Sequence, residues 1–159
     1  MYEDRVEKAV SYFMSGFNCS QSVVAAFADL YGFTEEQALR MSASFGAGIG
    51  RMRMTCGAAC GLFLLAGLET GAVKGEDRAG KSYNYKVVQE LARRFKEQTG
   101  SLVCAELLGL GPNARRDDPQ AGERNAAYYA KRPCPKMIET AARLFVQFLN
   151  ERHEDTTAG

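Results

Sequence analysis

Histidine is almost missing from this chain: its 159 residues contain one, His153, inside the polar stretch His153-Glu154-Asp155-Thr156-Thr157-Ala158-Gly159. A histidine in a charged terminal stretch reads as a solvated residue. That scarcity excludes Ser-His-Asp and Cys-His nucleophilic machinery, HExxH zinc sites, and zinc fingers that need paired histidines. An excess of one charge sign is also missing. Twenty Lys and Arg stand against nineteen Asp and Glu, a formal charge of +1, which is not the basic footprint that neutralises a phosphate backbone, so no nucleic-acid partner is expected. The longest apolar run, Cys56 to Leu68, is about thirteen residues against the roughly 20 that a bilayer span needs, so no membrane insertion is expected. Met1-Tyr2-Glu3-Asp4-Arg5 has no basic region leading into an apolar stretch; the reading is a chain without a secretory leader, in a reducing cytoplasm. Period-two alternation with hairpin turns is absent, which leaves no signal for a sheet.

With 46% hydrophobic and 25% charged residues, the composition is that of one soluble globular domain covering 1–159. Helical periodicity recurs throughout, so the expected class is all-α, a compact bundle of about six helices around a Gly-rich central helix. Val6, Ala9, Val10 and Phe13 mark the first helix, closed at Gly16. Asn18 caps a second, carrying Val23, Ala26, Phe27 and Leu30 as far as Gly32. Thr34-Glu35-Glu36-Gln37 is a capping box that opens a third, to about Phe45. Thr55 can cap a fourth, which contains Gly57, Gly61, Gly67 and Gly71. Each helical glycine costs up to about 1 kcal/mol relative to alanine, so close approach by neighbouring backbones is the expected compensation. A long helix then shows Val88, Leu91, Ala92 and Phe95 on one face, a short one runs from Leu102 to Leu108, and Gly109 to Pro133 is expected to be irregular. Pro135 suits the first turn of a last helix with Ile138, Ala141, Ala142, Phe145, Phe148 and Leu149 inward.

Five cysteines, Cys19, Cys56, Cys60, Cys104 and Cys134, are spread too widely and are too odd in number for the disulfide framework of a small secreted domain. All but Cys60 fall in predicted first turns or caps, where unpaired N–H groups and partial positive charge favour a thiolate. One helix end contributes roughly 0.3–1 kcal/mol, whereas two thiolates about 4 Å apart repel by roughly 4 kcal/mol at an effective dielectric of about 20. Four converging cysteines therefore need protonation, disulfide formation, or a bound cation or cluster. The bland alternative is that they are small buried hydrophobes. Cys56 and Cys60, at i and i+4, suit shared metal ligation, or a place as neighbouring thiols, better than an internal disulfide. The segment Gly46-Ala47-Gly48-Ile49-Gly50-Arg51-Met52-Arg53 reads as a tight interhelical turn, with an anion cradle as the sharper alternative. Glu106, Tyr83, Tyr85, Tyr128 and Tyr129 are candidate proton carriers, and Met52 and Met54 read as gap fillers.

Cys56-Gly57-Ala58-Ala59-Cys60-Gly61 reads as CGAxxG. With Phe17-Asn18-Cys19-Ser20-Gln21-Ser22 before it and Cys104-Ala105-Glu106-Leu107-Leu108-Gly109 and Cys134 after it, the chain resembles the four-cysteine redox family named for the pattern C_GCAxxG_C_C. The resemblance implies a redox site at Cys19, Cys56, Cys104 and Cys134, with Cys60 outside the signature, in a small protein often encoded near transporters. The leading expectation is a thiol-based oxidoreductase, exchanging disulfide and dithiol or passing electrons, with Cys56 the most activated thiolate and one of the other three resolving it. Two alternatives stand beside it: a zinc or iron–sulfur centre ligated by the same four cysteines, with Cys60 as an extra ligand, and a transporter-associated interaction module. The redox partner, the substrate and a homo-oligomeric state stay open.

Overall fold

Reciprocal capping boxes start two of the early helices. Asn18 accepts from the Gln21 N–H at 2.9 Å while the Gln21 side chain accepts from the Asn18 N–H at 3.1 Å; Thr34 and Gln37 repeat the arrangement. In the computed structural model, which describes residues 1–158, the helices are α1 (Asp4–Met14), α2 (Cys19–Ala25), α3 (Glu35–Ser42), α4 (Gly57–Thr70), α5 (Arg78–Thr99), α6 (Cys104–Leu107), α7 (Ala126–Lys131) and α8 (Cys134–Ala158). Short 3₁₀ turns cover Ala28–Tyr31 and Ala43–Phe45. Among the described residues the only β-pairing is one isolated antiparallel bridge, Thr55 to Val103. The class is all-α.

The core is one cluster drawn mainly from α1, α2, α4, α5 and α8, with Ala38 of α3. The inward face expected of α8 is buried from Ile138 to Leu149, and Phe145 meets Phe27 edge-on with centroids 5.0 Å apart. That contact goes with a departure from expectation: the second helix ends at Ala25 and continues as a 3₁₀ turn rather than running to Gly32, and Phe27, at the junction, lies in the core. α5 also differs. It begins at Arg78, capped by Asp77, and buries Val87, Leu91 and Phe95, so its core face is rotated from Val88 and Ala92.

α4 packs against α2, α5 and α8. A β-carbon at Gly57 would lie 3.1 Å from Cβ of Cys19, and one at Gly61 would lie 2.9 Å from Cβ of Val23. Those two glycines let α2 and α4 approach at the point where Cys19 and Cys56 start their helices. Gly67 has open space around it and Gly71 lies past the helix end, so close approach accounts for two of the four.

The stretch expected to be irregular contains α7, capped by Asn125, whose side chain accepts from the Tyr128 N–H. Arg124 fastens this stretch to the end of α1 and the loop after it, donating to the carbonyls of Phe13 at 3.0 Å and Phe17 at 2.9 Å. No helix among the described residues is long and apolar enough to cross a membrane.

Candidate functional site

Four chain segments end, and four helices begin, around one cavity of about 440 Å³. Cys19 is the first residue of α2, Cys104 of α6 and Cys134 of α8, while Cys56 is the residue that caps α4. All four line the cavity; Cys60 does not, and its thiol instead faces the carbonyl of Thr55 at 3.8 Å.

Cys56 and Cys104 lie diagonally across a short backbone pairing, opposite Leu102 and Met54. The Cys56 N–H donates to the carbonyl of Leu102 at 2.7 Å, and the Cys104 N–H donates to that of Met54 at 2.6 Å, flanking the Thr55–Val103 bridge. The segment before Met54 is wound left-handed: φ is +55° at Ala47, +76° at Gly48, +66° at Ile49, +57° at Gly50 and +65° at Arg51, and Arg53 follows at +59°. A left-handed conformation costs an L-residue roughly 1–2 kcal/mol, so this turn is a strained device, held by Gly50 N–H to Ser44 carbonyl at 2.7 Å and Met54 N–H to Gly48 carbonyl at 2.8 Å. It delivers Arg53 to the cavity, where Nη1 lies 3.7 Å from Sγ of Cys104. Ala47→Gly, which removes one strained β-carbon and little packing, is expected to raise stability by about 1 kcal/mol. A melting temperature that stays level or falls would show the turn to be unstrained there.

The four thiols differ in their surroundings. Cys134 is pulled down to about 7, first by a hydrogen bond from Cys19 and then by the positive charges of Arg132, Arg124 and Arg53, against the opposing effect of burial. Its partner Cys19 is pushed well up, by sharing that hydrogen bond with a thiolate and by burial. Burial pushes Cys56 up to about 12, although the N–H groups of Ala58 and Ala59 act the other way. Cys104 is raised by burial and partly relieved by Arg53. The sequence points to Cys56 as the most activated thiol; burial works against that ionisation, and the helix-end N–H groups of Ala58 and Ala59 that oppose it are a weak effect.

Tyr128 alone of the candidate proton carriers lines the cavity. Glu106 is engaged by the hydroxyl of Ser101, Tyr83 by Arg152, and Tyr129 by the carbonyl of Met14. Met52 and Met54 are exposed rather than filling gaps. Arg124 and Arg132 are functional candidates that sequence reasoning missed; the signal available was a pair of arginines flanking Tyr128-Tyr129 in an otherwise polar loop.

Residues 17–148, a span holding all four cavity cysteines, match the family model described as "Putative redox-active protein (C_GCAxxG_C_C)". The chain belongs to this family. No curated protein and no solved structure matches it. For this member of the C_GCAxxG_C_C family, the zinc or iron–sulfur alternative meets an obstacle in the donor set: among the described residues no three His, Cys, Asp or Glu side chains are grouped so that they could hold a metal ion. The cysteines share a cavity without forming a ligand cage.

Proposed function

We propose that this chain is a dithiol redox protein in which Cys134 is the attacking thiolate and Cys19 the thiol that resolves the resulting mixed disulfide. The observation that carries this reading is that the two thiols, at the starts of α8 and α2, line one cavity together with the guanidiniums of Arg53, Arg124 and Arg132. The electrostatics set the order of events. While Cys134 is a thiolate, it holds the proton on Cys19; once Cys134 is capped as a mixed disulfide, that charge is gone and Cys19 can ionise and attack. Cys56 and Cys104, protonated and aligned by the Thr55–Val103 bridge, are a second dithiol facing the same cavity.

The groups facing Cys134 are Cys19, Cys56, Cys104 and Tyr128, all neutral near pH 7, and the cations Arg53, Arg124 and Arg132. Its ionisation is therefore expected to rise as a single step near pH 7. Alkylation of the reduced protein by iodoacetamide, followed residue by residue by mass spectrometry, should show Cys134 reacting first, with a midpoint near 7 rather than the free-thiol value of about 8.5, and little further gain above pH 9. Mild oxidation should then give a Cys19–Cys134 disulfide. A midpoint at 8.5 or above, or a first disulfide that leaves out Cys134, would overturn the proposal.

A further inference from the structure

The cavity carries more positive charge than the Cys134 thiolate and the carboxylates among the described residues balance. No Asp or Glu lines it. Of its four arginines, Arg51 is paired with Asp118 at 3.4 Å, but among the described residues Arg53, Arg124 and Arg132 have no carboxylate within 4 Å. Arg53 is only 9% exposed, and among the described residues its guanidinium's one hydrogen bond is the weak contact with the Cys104 sulfur at 3.7 Å. Arg132 donates no hydrogen bond at all among the described residues; its guanidinium rests 4.8 Å from the Tyr128 ring centroid. Arg124 is held by two carbonyls and lies 4.4 Å from the Phe13 ring and 4.8 Å from that of Tyr128, so it is fixed as a charge rather than free as a donor. Burying a guanidinium without an oxygen acceptor is costly unless an anion completes its surroundings. Two planar forks of N–H donors match carboxylate oxygens in pairs, and about 440 Å³ holds a small molecule.

We infer that the cavity binds a small carboxylate-bearing disulfide, its carboxylates on Arg53 and Arg132 and its sulfur–sulfur bond against Cys134. This substrate class rests on the dithiol reading above. The Cys134 thiolate attacks one substrate sulfur, forming a protein–substrate disulfide and releasing the other half as its thiolate. Cys19 then gives up its proton and attacks the Cys134 sulfur, closing Cys19–Cys134 and expelling the second half. The protein dithiol is oxidised by two electrons, and the substrate disulfide is reduced to one thiol and one thiolate: the proton from Cys19 and the negative charge from Cys134 leave on the two substrate sulfurs, in addition to the carboxylate charges. The positive cavity assists both departures.

The reduced full chain is oxidised in single turnover by dithiodiglycolate, hydroxyethyl disulfide and cystamine, which are anionic, neutral and cationic, and each rate is divided by that of a free small thiol. The dianion is expected to lead the neutral compound by at least tenfold and the cation by more. In Arg132→Gln the anionic-to-neutral ratio should fall at least fivefold. The ratio is the readout, because both rates drop together if Cys134 becomes less ionised. Arg143→Gln, which removes the same charge from an exposed position on α8, should leave it unchanged. Adipate, the carbon isostere of dithiodiglycolate, should protect Cys134 from iodoacetamide where 1,6-hexanediol does not. Equal normalised rates for the three disulfides, or a ratio indifferent to Arg132→Gln, overturn the substrate class while an observed Cys19–Cys134 disulfide still upholds the dithiol reading. Adipate protection without any disulfide exchange does the reverse: it supports anion binding at the site and overturns the dithiol chemistry assigned to it.

Discussion

Cys134→Ser is expected to lower the iodoacetamide reactivity of the reduced protein at pH 7 by at least tenfold and to abolish the first disulfide. Cys134 is about half ionised at that pH. Thiols pushed up to about 11 at Cys60 and about 12 at Cys56 have thiolate fractions of roughly one part in ten thousand or less. Thiolates of higher pKa are better nucleophiles, with a Brønsted slope of about 0.4–0.5, which returns roughly fiftyfold of the difference. The net deficit for Cys60 stays near a hundredfold. Cys19 narrows it, because the largest cause of its raised pKa is the partner that serine removes, so tenfold is the floor. Cys60→Ser, outside the cavity, should change neither rate nor disulfide. A Cys134→Ser protein that alkylates like the wild type would move the reactive thiol elsewhere and take the proposed attacking role with it.

Much of this site is legible in the sequence because helix starts are local. The Thr34–Gln37 capping box, Asn18 before Cys19, and Pro135 after Cys134 are short-range signals, and each lies at a helix start in the structure. Which thiol is most acidic is not local. It depends on how much water each sulfur loses and which cations reach it across the fold, and those cations include Arg124 and Arg132 from a stretch read as irregular. α7 is too short for a periodicity signal, and its placement depends on Arg124 holding the carbonyls of Phe13 and Phe17. The glycines read into the fourth helix show the same division: the sequence pattern treats all four alike, but Gly71 falls past the helix end and only Gly57 and Gly61 face another element.

The left-handed turn gives the largest expected loss of stability, in Gly48→Ala. A β-carbon there would lie 2.6 Å from Cα of Arg53, 2.7 Å from the N of Met54 and 2.7 Å from Cβ of Cys104, at φ +76°. Two of the three obstacles are backbone atoms, so no side chain can swing aside to relieve them. The left-handed conformation contributes roughly 1–2 kcal/mol and the overlap about 1–3 kcal/mol, together about 2–5 kcal/mol of a total stability on the order of 5–15. At about 2–4 °C per kcal/mol for a chain of this size, the melting temperature should fall by roughly 10 °C. The chemistry should move with it. Relief requires Arg53 to part from Cys104, or α6 to retreat with its first residue, and either change withdraws positive charge from the cavity. The Cys134 alkylation midpoint should therefore rise toward the free-thiol value. Ala47→Gly, one residue earlier in the same turn, is expected to act with the opposite sign on stability, since it removes a strained β-carbon where Gly48→Ala adds one. A Gly48→Ala protein as stable as the wild type, with its midpoint still near 7, would mean that this turn does not position Arg53 and Cys104.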